Sequence, residues 1–140
     1  MPIDPTERQR RSDLVRAHFA AENAHDADGI LGTFAPEAVM LYNRQVFPDP
    51  VSIRAGHSYI GMTAAPGAFA GLRAEIDAEH FTDAEVVIEG RLTGKHAAEF
   101  GGFPPTGREV ELPFVSFYRF DAAGKLVSER VVMNLGPLRE

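Results

Sequence analysis

The residues best able to do chemistry gather near the N-terminus, where Val15, His18, Glu22, His25 and Asp26 recur at intervals of three, four and seven. At about 100° per residue this spacing places them on one face of a helix. Glu22 falls near the middle of the arc set by Leu14, Val15, His18 and Phe19, where an apolar or aromatic residue would normally face a core. A carboxylate in an apolar cavity is expected to have its pKa raised towards neutrality and to make a competent general base or acid. The competing arrangement is a helix rotated so that Glu22 sits, solvated, at a pocket mouth. His18-x-x-x-Glu22-x-x-His25 also has helical metal-ligand spacing, and Glu-x-x-His is one half of the di-iron carboxylate pattern. Only one copy occurs, which argues against a di-iron site, and His18 and His25 read as amphipathic helix residues.

Two further histidines lie on β-rich runs. His80 is in phase with Leu72, Ala74, Ile76 and Ala78, while Arg73, Glu75, Asp77 and Glu79 alternate onto the other face. His96 follows the phase of Val86, Ile88, Leu92 and Gly94, provided that no bulge intervenes. For each, the plainer reading is a hydrogen-bonded core histidine, and His96 is placed to pin the Pro104-Pro105-Thr106-Gly107 turn. Tyr42, Tyr59, Phe100, Phe103, Phe114 and Phe117 could form walls that stack on a flat ligand, or belong to the core or a dimer interface.

The elements that must hold these groups follow from turn chemistry and periodicity. Thr6 to about Asp28 contains no internal Gly or Pro, so a long helix capped by Thr6 or Ser12 is expected, with residues 1–6 a flexible extension. Ile30 to Phe34 is expected to form a short helix stopped by Pro36, and Ala38 to Tyr42 an apolar strand. Asn43 to Ile53, carrying Pro48 and Pro50, reads as a loop or lid, and Ala55 to Ala65 as a third helix ended by Pro66-Gly67. Leu72 to His80, Ala84 to Gly94, Glu109 to Phe120 and Lys125 to Leu135 then make four strands. The order ααβαββββ predicts an α+β cone, three helices on a curved, mostly antiparallel sheet, in a single domain spanning residues 1–140.

Between two of those strands runs Gly94-Lys95-His96-Ala97-Ala98-Glu99-Phe100-Gly101-Gly102-Phe103-Pro104-Pro105-Thr106-Gly107-Arg108. With Asn23-Ala24-His25-Asp26 at the first helix end and Phe120 to Glu129 near the last hairpin, this loop resembles the SnoaL-like polyketide cyclase family of the NTF2-like superfamily. The resemblance implies an aldol-type cyclisation of a polyketide ester without metal or cofactor, in which an Asp near the end of the last strand is acid/base. Here that position holds Asn134, and the family's tryptophan position holds Arg130. An amide donates a hydrogen bond to an oxyanion but takes up no proton near neutral pH. The base therefore moves to Glu22, with Asn134 and His96 as expected oxyanion partners. Arg130, sharing a strand face with Val132 and Asn134, would enter the pocket beside them.

The resulting expectation is a cofactor-independent enzyme performing cyclisation, isomerisation or dehydration on a hydrophobic, polycyclic or polyketide-like carbonyl compound. Substrate would be bound by His18, Tyr42, Tyr59, His80, Phe100, Phe114 and Arg130. The alternatives are a non-catalytic small-molecule binding protein, or an epoxide hydrolase or oxygenase on the same fold. Net charge of −6, with no basic run beyond Arg10-Arg11, argues against nucleic acid or an anionic membrane as partner. With 44% apolar residues the chain can bury a core unaided, and the absence of cysteine removes disulfides and thiolate chemistry. A polar N-terminus without an apolar span favours a cytoplasmic protein. Apolar residues on both faces of the meander, Val115 and Phe117 against Phe114 and Tyr118, favour a homodimer through the sheet.

Overall fold

A computed structural model describes residues 3–139, with Met1 and Pro2 of the expected extension outside the described residues. Helix α1 spans Pro5–Asn23, so Pro5 and Thr6 belong to the helix rather than to an extension. Asp4 caps it, accepting from the Thr6 and Glu7 amides, and Pro5 stands where its missing N–H costs nothing. The helix stops earlier than Asp28 because His25 turns left-handed, with φ of 55°, and Asp26 caps a new helix, α2, Ala27–Leu31. The expected helix over Ile30 to Phe34 is thereby displaced towards the N-terminus.

Strand β1 covers Phe34–Tyr42 and runs through Pro36. The strand tolerates that proline because its pairing with the last strand slips between Phe34 and Val39, where no ladder donor is needed. Asn43 to Ile53 is not a lid loop. Asn43, at φ of 53°, turns the chain into β2, Gln45–Phe47, and helix α3 begins at Pro50 and runs to Ile60. Asp49 and Ser52 form a reciprocal capping box there, and Gly61, at φ of 116° and tight against the Phe69 carbonyl, ends the helix.

The remaining strands are β3 (Phe69–Phe81), β4 (Glu85–His96), β5 (Glu109–Phe120) and β6 (Leu126–Met133), followed by a 3-10 turn at Gly136–Arg139. The sheet order is β2-β1-β6-β5-β4-β3, antiparallel except that β1 and β6 run parallel. The fold is the expected α+β cone, with one strand more than expected. Its core lies between the concave face and the helices, with Val15 and Phe19 of α1, Ile53 and Ile60 of α3, and Met40, Ile88, Leu112 and Val131 of the sheet all buried. Among the described residues, no helix is long and apolar enough to cross a membrane.

Candidate functional site

Three elements send four ionisable side chains into the narrow end of this core. His18 and Glu22 come one turn apart from α1, His57 from α3 and Glu129 from β6, and all four are 4% exposed or less. Glu22 and His18 share the buried face of α1 with Val15 and Phe19, as the helical spacing predicts. His57 follows from the same periodicity on α3, where Ile53, Gly56, His57 and Ile60 are the buried positions. Glu129 is in phase with Val131 and Met133, which alternate inward along β6.

The hydrogen bonds fix the state of both imidazoles. His18 Nδ1 lies 2.9 Å from Thr33 Oγ1, whose own proton goes to the Ile30 carbonyl at 2.7 Å, so the ring nitrogen must be the donor. His57 Nδ1 lies 2.8 Å from the Ile53 carbonyl, which can only accept. Both Nε2 atoms then face carboxylate oxygen. His18 Nε2 stands 3.1 Å from Glu22 Oε2 and 3.4 Å from Glu129 Oε2; His57 Nε2 stands 3.2 Å from Glu22 Oε2 and 3.8 Å from Glu129 Oε1. Tyr118 donates to Glu129 Oε2 at 3.3 Å.

With protons as the only cations, two imidazoliums offset two carboxylates. Burial alone would lower the pKa of His18, but the facing Glu22 and Glu129 reverse this and push it up to about 10. His57 also moves up, burial again being outweighed by the same two carboxylates. For Glu22 burial works upward, yet the attraction of His18 and His57 lowers it to about 2. The expectation of a Glu22 pKa raised towards neutrality is thus corrected: the cavity is not simply apolar, because two cations share the carboxylate.

A small chamber borders this centre, and a larger mouth shares one wall with that chamber. A mouth of about 280 Å³ is lined by Tyr42, Phe47, Tyr59, Ile60, Phe100 and Leu135, among others. A small chamber of about 10 Å³, room for roughly one water molecule, is bounded by Glu22, Glu129, Tyr42, Ser116, Phe19 and Phe114, among others. Tyr42 lines both. Its phenol is held neutral, burial and the two nearby carboxylates pushing its pKa well above the ordinary value. Phe100 stacks on Tyr59 at 5.2 Å, and Tyr59 donates to Glu99 while accepting from the Gly101 amide, which anchors the lip of the mouth.

Other expected site residues lie elsewhere. His96 is buried as its phase predicts, but it is closed into the turn it pins: Nδ1 accepts from the Thr106 amide, its backbone bonds Arg108 and Gly107, and its ring stacks on Phe69. It lines neither cavity. His80 is exposed and paired with Glu89 at 2.6 Å, because β3 slips register between Ile76 and Ala78 and reverses the alternation beyond it. Arg130 and Asn134 do share a face, and it is the outer one. Arg130 lies over the Phe117 ring at 4.2 Å, and exposed Asn134 accepts from the Gly136 amide. His25 leaves the helix face altogether and bonds the Leu72 carbonyl.

The sequence profile of the SnoaL-like domain matches residues 15–129. Among solved structures, a protein named for SnoaL-like polyketide cyclases from Jannaschia sp. CCS1 superposes with a TM-score of 0.83 at 20% identity, covering 99% of this chain and 94% of its own. AclR of Streptomyces galilaeus, named as a hydroxylase, gives 0.71 at 28% identity, covering 91% of each chain. SalBIII, an epoxide hydrolase/cyclase-like enzyme of pyran ring formation in salinomycin, gives 0.75 at 18% identity, covering 93% of this chain and 95% of its own. A search of functionally curated proteins finds no match to the sequence.

Proposed function

The chain belongs to the SnoaL-like family, and we propose that it is an enzyme applying general acid/base chemistry to a hydrophobic, polyketide-like or polycyclic carbonyl compound, in cyclisation, isomerisation or dehydration. The observation that carries this reading is the shared position of Tyr42, which joins an apolar mouth to a buried carboxylate–imidazole centre. A flat substrate packs between Tyr59, Phe100, Ile60 and Leu135, with its carbonyl oxygen towards Tyr42. The neutral phenol donates to that oxygen and stabilises the enolate as a proton leaves the adjacent carbon. Glu129 receives the proton. Glu129 Oε1 is the oxygen without a hydrogen bond, whereas Glu22 holds the two imidazoles in place. Asn134, Arg130 and His96 have no part in this scheme.

The experiment is turnover of a panel of polycyclic ketones and polyketide esters by the protein and by Glu129→Gln and Glu22→Gln. Both variants should lose about a hundredfold or more in kcat while keeping their circular dichroism; a folded, fully active pair would refute the assignment. A second reading, water addition to an epoxide, is favoured by the one-water chamber, which the Ser116 hydroxyl and both carboxylates border. Incorporation of labelled solvent oxygen into a diol product would select it. A ligand that binds tightly and is recovered unchanged would instead select the binding-protein alternative. A homodimer through the outer sheet face, where Val132 is 50% exposed, belongs to the same proposal and is tested by sedimentation.

A further inference from the structure

Two polar atoms in the buried centre, His18 Nε2 and Glu129 Oε1, make no hydrogen bond although their residues are 2% exposed or less. Their contacts are ion pairs that lack hydrogen-bond geometry, His18 Nε2 with Glu22 Oε2 at 3.1 Å and Glu129 Oε1 with His57 Nε2 at 3.8 Å, which satisfies buried polar atoms incompletely. Each imidazole has already committed its Nδ1 proton, His18 to the Thr33 hydroxyl and His57 to the Ile53 carbonyl. That leaves each Nε2 as the nitrogen able to present a lone pair, the orientation that outer hydrogen bonds impose on metal-bound histidine.

Around the centre, Glu22 Oε2 stands 3.1 Å from His18 Nε2 and 3.2 Å from His57 Nε2, while Glu129 faces His18 Nε2 with Oε2 at 3.4 Å and His57 Nε2 with Oε1 at 3.8 Å. The four ligand atoms all lie within 4.8 Å of one another. Four ligands at about 2.0–2.1 Å from a tetrahedral ion stand about 3.3 Å apart, so a cation fits with small side-chain shifts. Two carboxylates and two neutral imidazoles carry two negative charges, which one divalent ion cancels without leaving a buried charge unpaired. Imidazole with carboxylate, in a chain without cysteine, suits zinc, manganese or ferrous iron better than calcium or magnesium.

We propose that His18, Glu22, His57 and Glu129 form a binding site for one first-row divalent cation, held through both Nε2 atoms and one oxygen of each carboxylate, in place of the two imidazole Nε2 protons. The ligand set corrects the helical one: His25 is replaced by His57 and Glu129. The proposal goes beyond the acid/base reading and does not depend on it, since binding is measured without substrate.

Protein stripped with a chelator and equilibrated with Zn²⁺ should retain one ion per chain at micromolar affinity or tighter. Co²⁺ in its place should show the intense visible bands of a tetrahedral ion. Nitrogen-15 NMR of the wild-type protein during Zn²⁺ titration should move the ring nitrogens of His18 and His57 and leave those of His25, His80 and His96 in place. Glu129→Gln should weaken binding about tenfold or more. Failure to retain Zn²⁺ stoichiometrically, or a response confined to His80, would overturn the site. Turnover by chelated protein bears only on the acid/base reading, so the two can fail separately.

Discussion

Glu22→Gln puts the electrostatics of the centre to a direct test. The substitution keeps the shape of the side chain and removes the charge that Oε2 shares between His18 at 3.1 Å and His57 at 3.2 Å. In the chelated protein, where protons alone occupy the centre, Glu22 falls from an ordinary 4.5 to about 2, a shift worth on the order of 3 kcal/mol. The rise of His18 from 6.5 to about 10 describes the same attraction from its other end, so it is not added. A depressed carboxylate pKa gives stability that is present above pH 4.5 and lost as pH falls through about 2. A raised histidine pKa gives stability that is complete below pH 6.5 and lost as pH rises through about 10. The variant should therefore be about 3 kcal/mol less stable than wild type between pH 4.5 and 6.5, a fall in Tm of about 10 °C, with the gap closing towards both extremes. The chain has no tryptophan, so urea melts at pH 3, 5.5 and 10 are followed by far-UV circular dichroism. A variant within about 0.5 kcal/mol of wild type at pH 5.5 would mean that the four side chains are not mutually charged, and the reasoning fails.

Three further perturbations separate the parts of the site. Tyr42→Phe keeps the wall between mouth and chamber but removes its donor, so kcat should fall about tenfold to a hundredfold with KM little changed in steady-state kinetics. Gly56 faces the mouth, and a Cβ there would come within 2.8 Å of the Phe47 ring and 2.9 Å of the Met40 methyl. Gly56→Val should cost about 1–3 kcal/mol in urea melts and weaken ligand binding by calorimetry. Arg130→Ala, on the outer face over Phe117, should leave turnover at the wild-type level and stability within about 1 kcal/mol; loss of turnover would return Arg130 to the pocket.

Where the sequence signal was a clean helical period, it placed side chains well. Glu22 and His18 point inward on α1 as read, and His57 carried the same signal on α3, weakened because Ile53, which sets the phase with His57 and Ile60, lay outside the helix expected from Ala55. Strand phases carried only as far as the ladder stayed regular. The slip between Ile76 and Ala78 turned His80 outward, and no local residue pattern announces it. On β6 the inward and outward sets, Glu129 with Val131 and Met133 against Arg130 with Val132 and Asn134, were both legible as alternation. Choosing between them needed the sheet's concave side, which is set by helices far away in sequence. Pro36 and Pro48-Asp49-Pro50 misled for the opposite reason: proline reads as a break, yet a register slip absorbs one and a helix start uses another.

The centre draws on the first helix and the last long strand, and β6, besides its hairpin pairing with β5, pairs parallel with β1 from the other half of the chain. Parallel, sequence-distant pairing is slow to form, because loop-closure entropy is spent before any contact repays it. During synthesis His18 and Glu22 emerge long before Glu129, so a nascent chain already has the helix but lacks the strand that completes its charge balance. With β6 in place, all four side chains are buried together. The four side chains of the centre, drawn from both ends of the sequence, are in that sense assembled by the pairing that joins the two halves of the sheet.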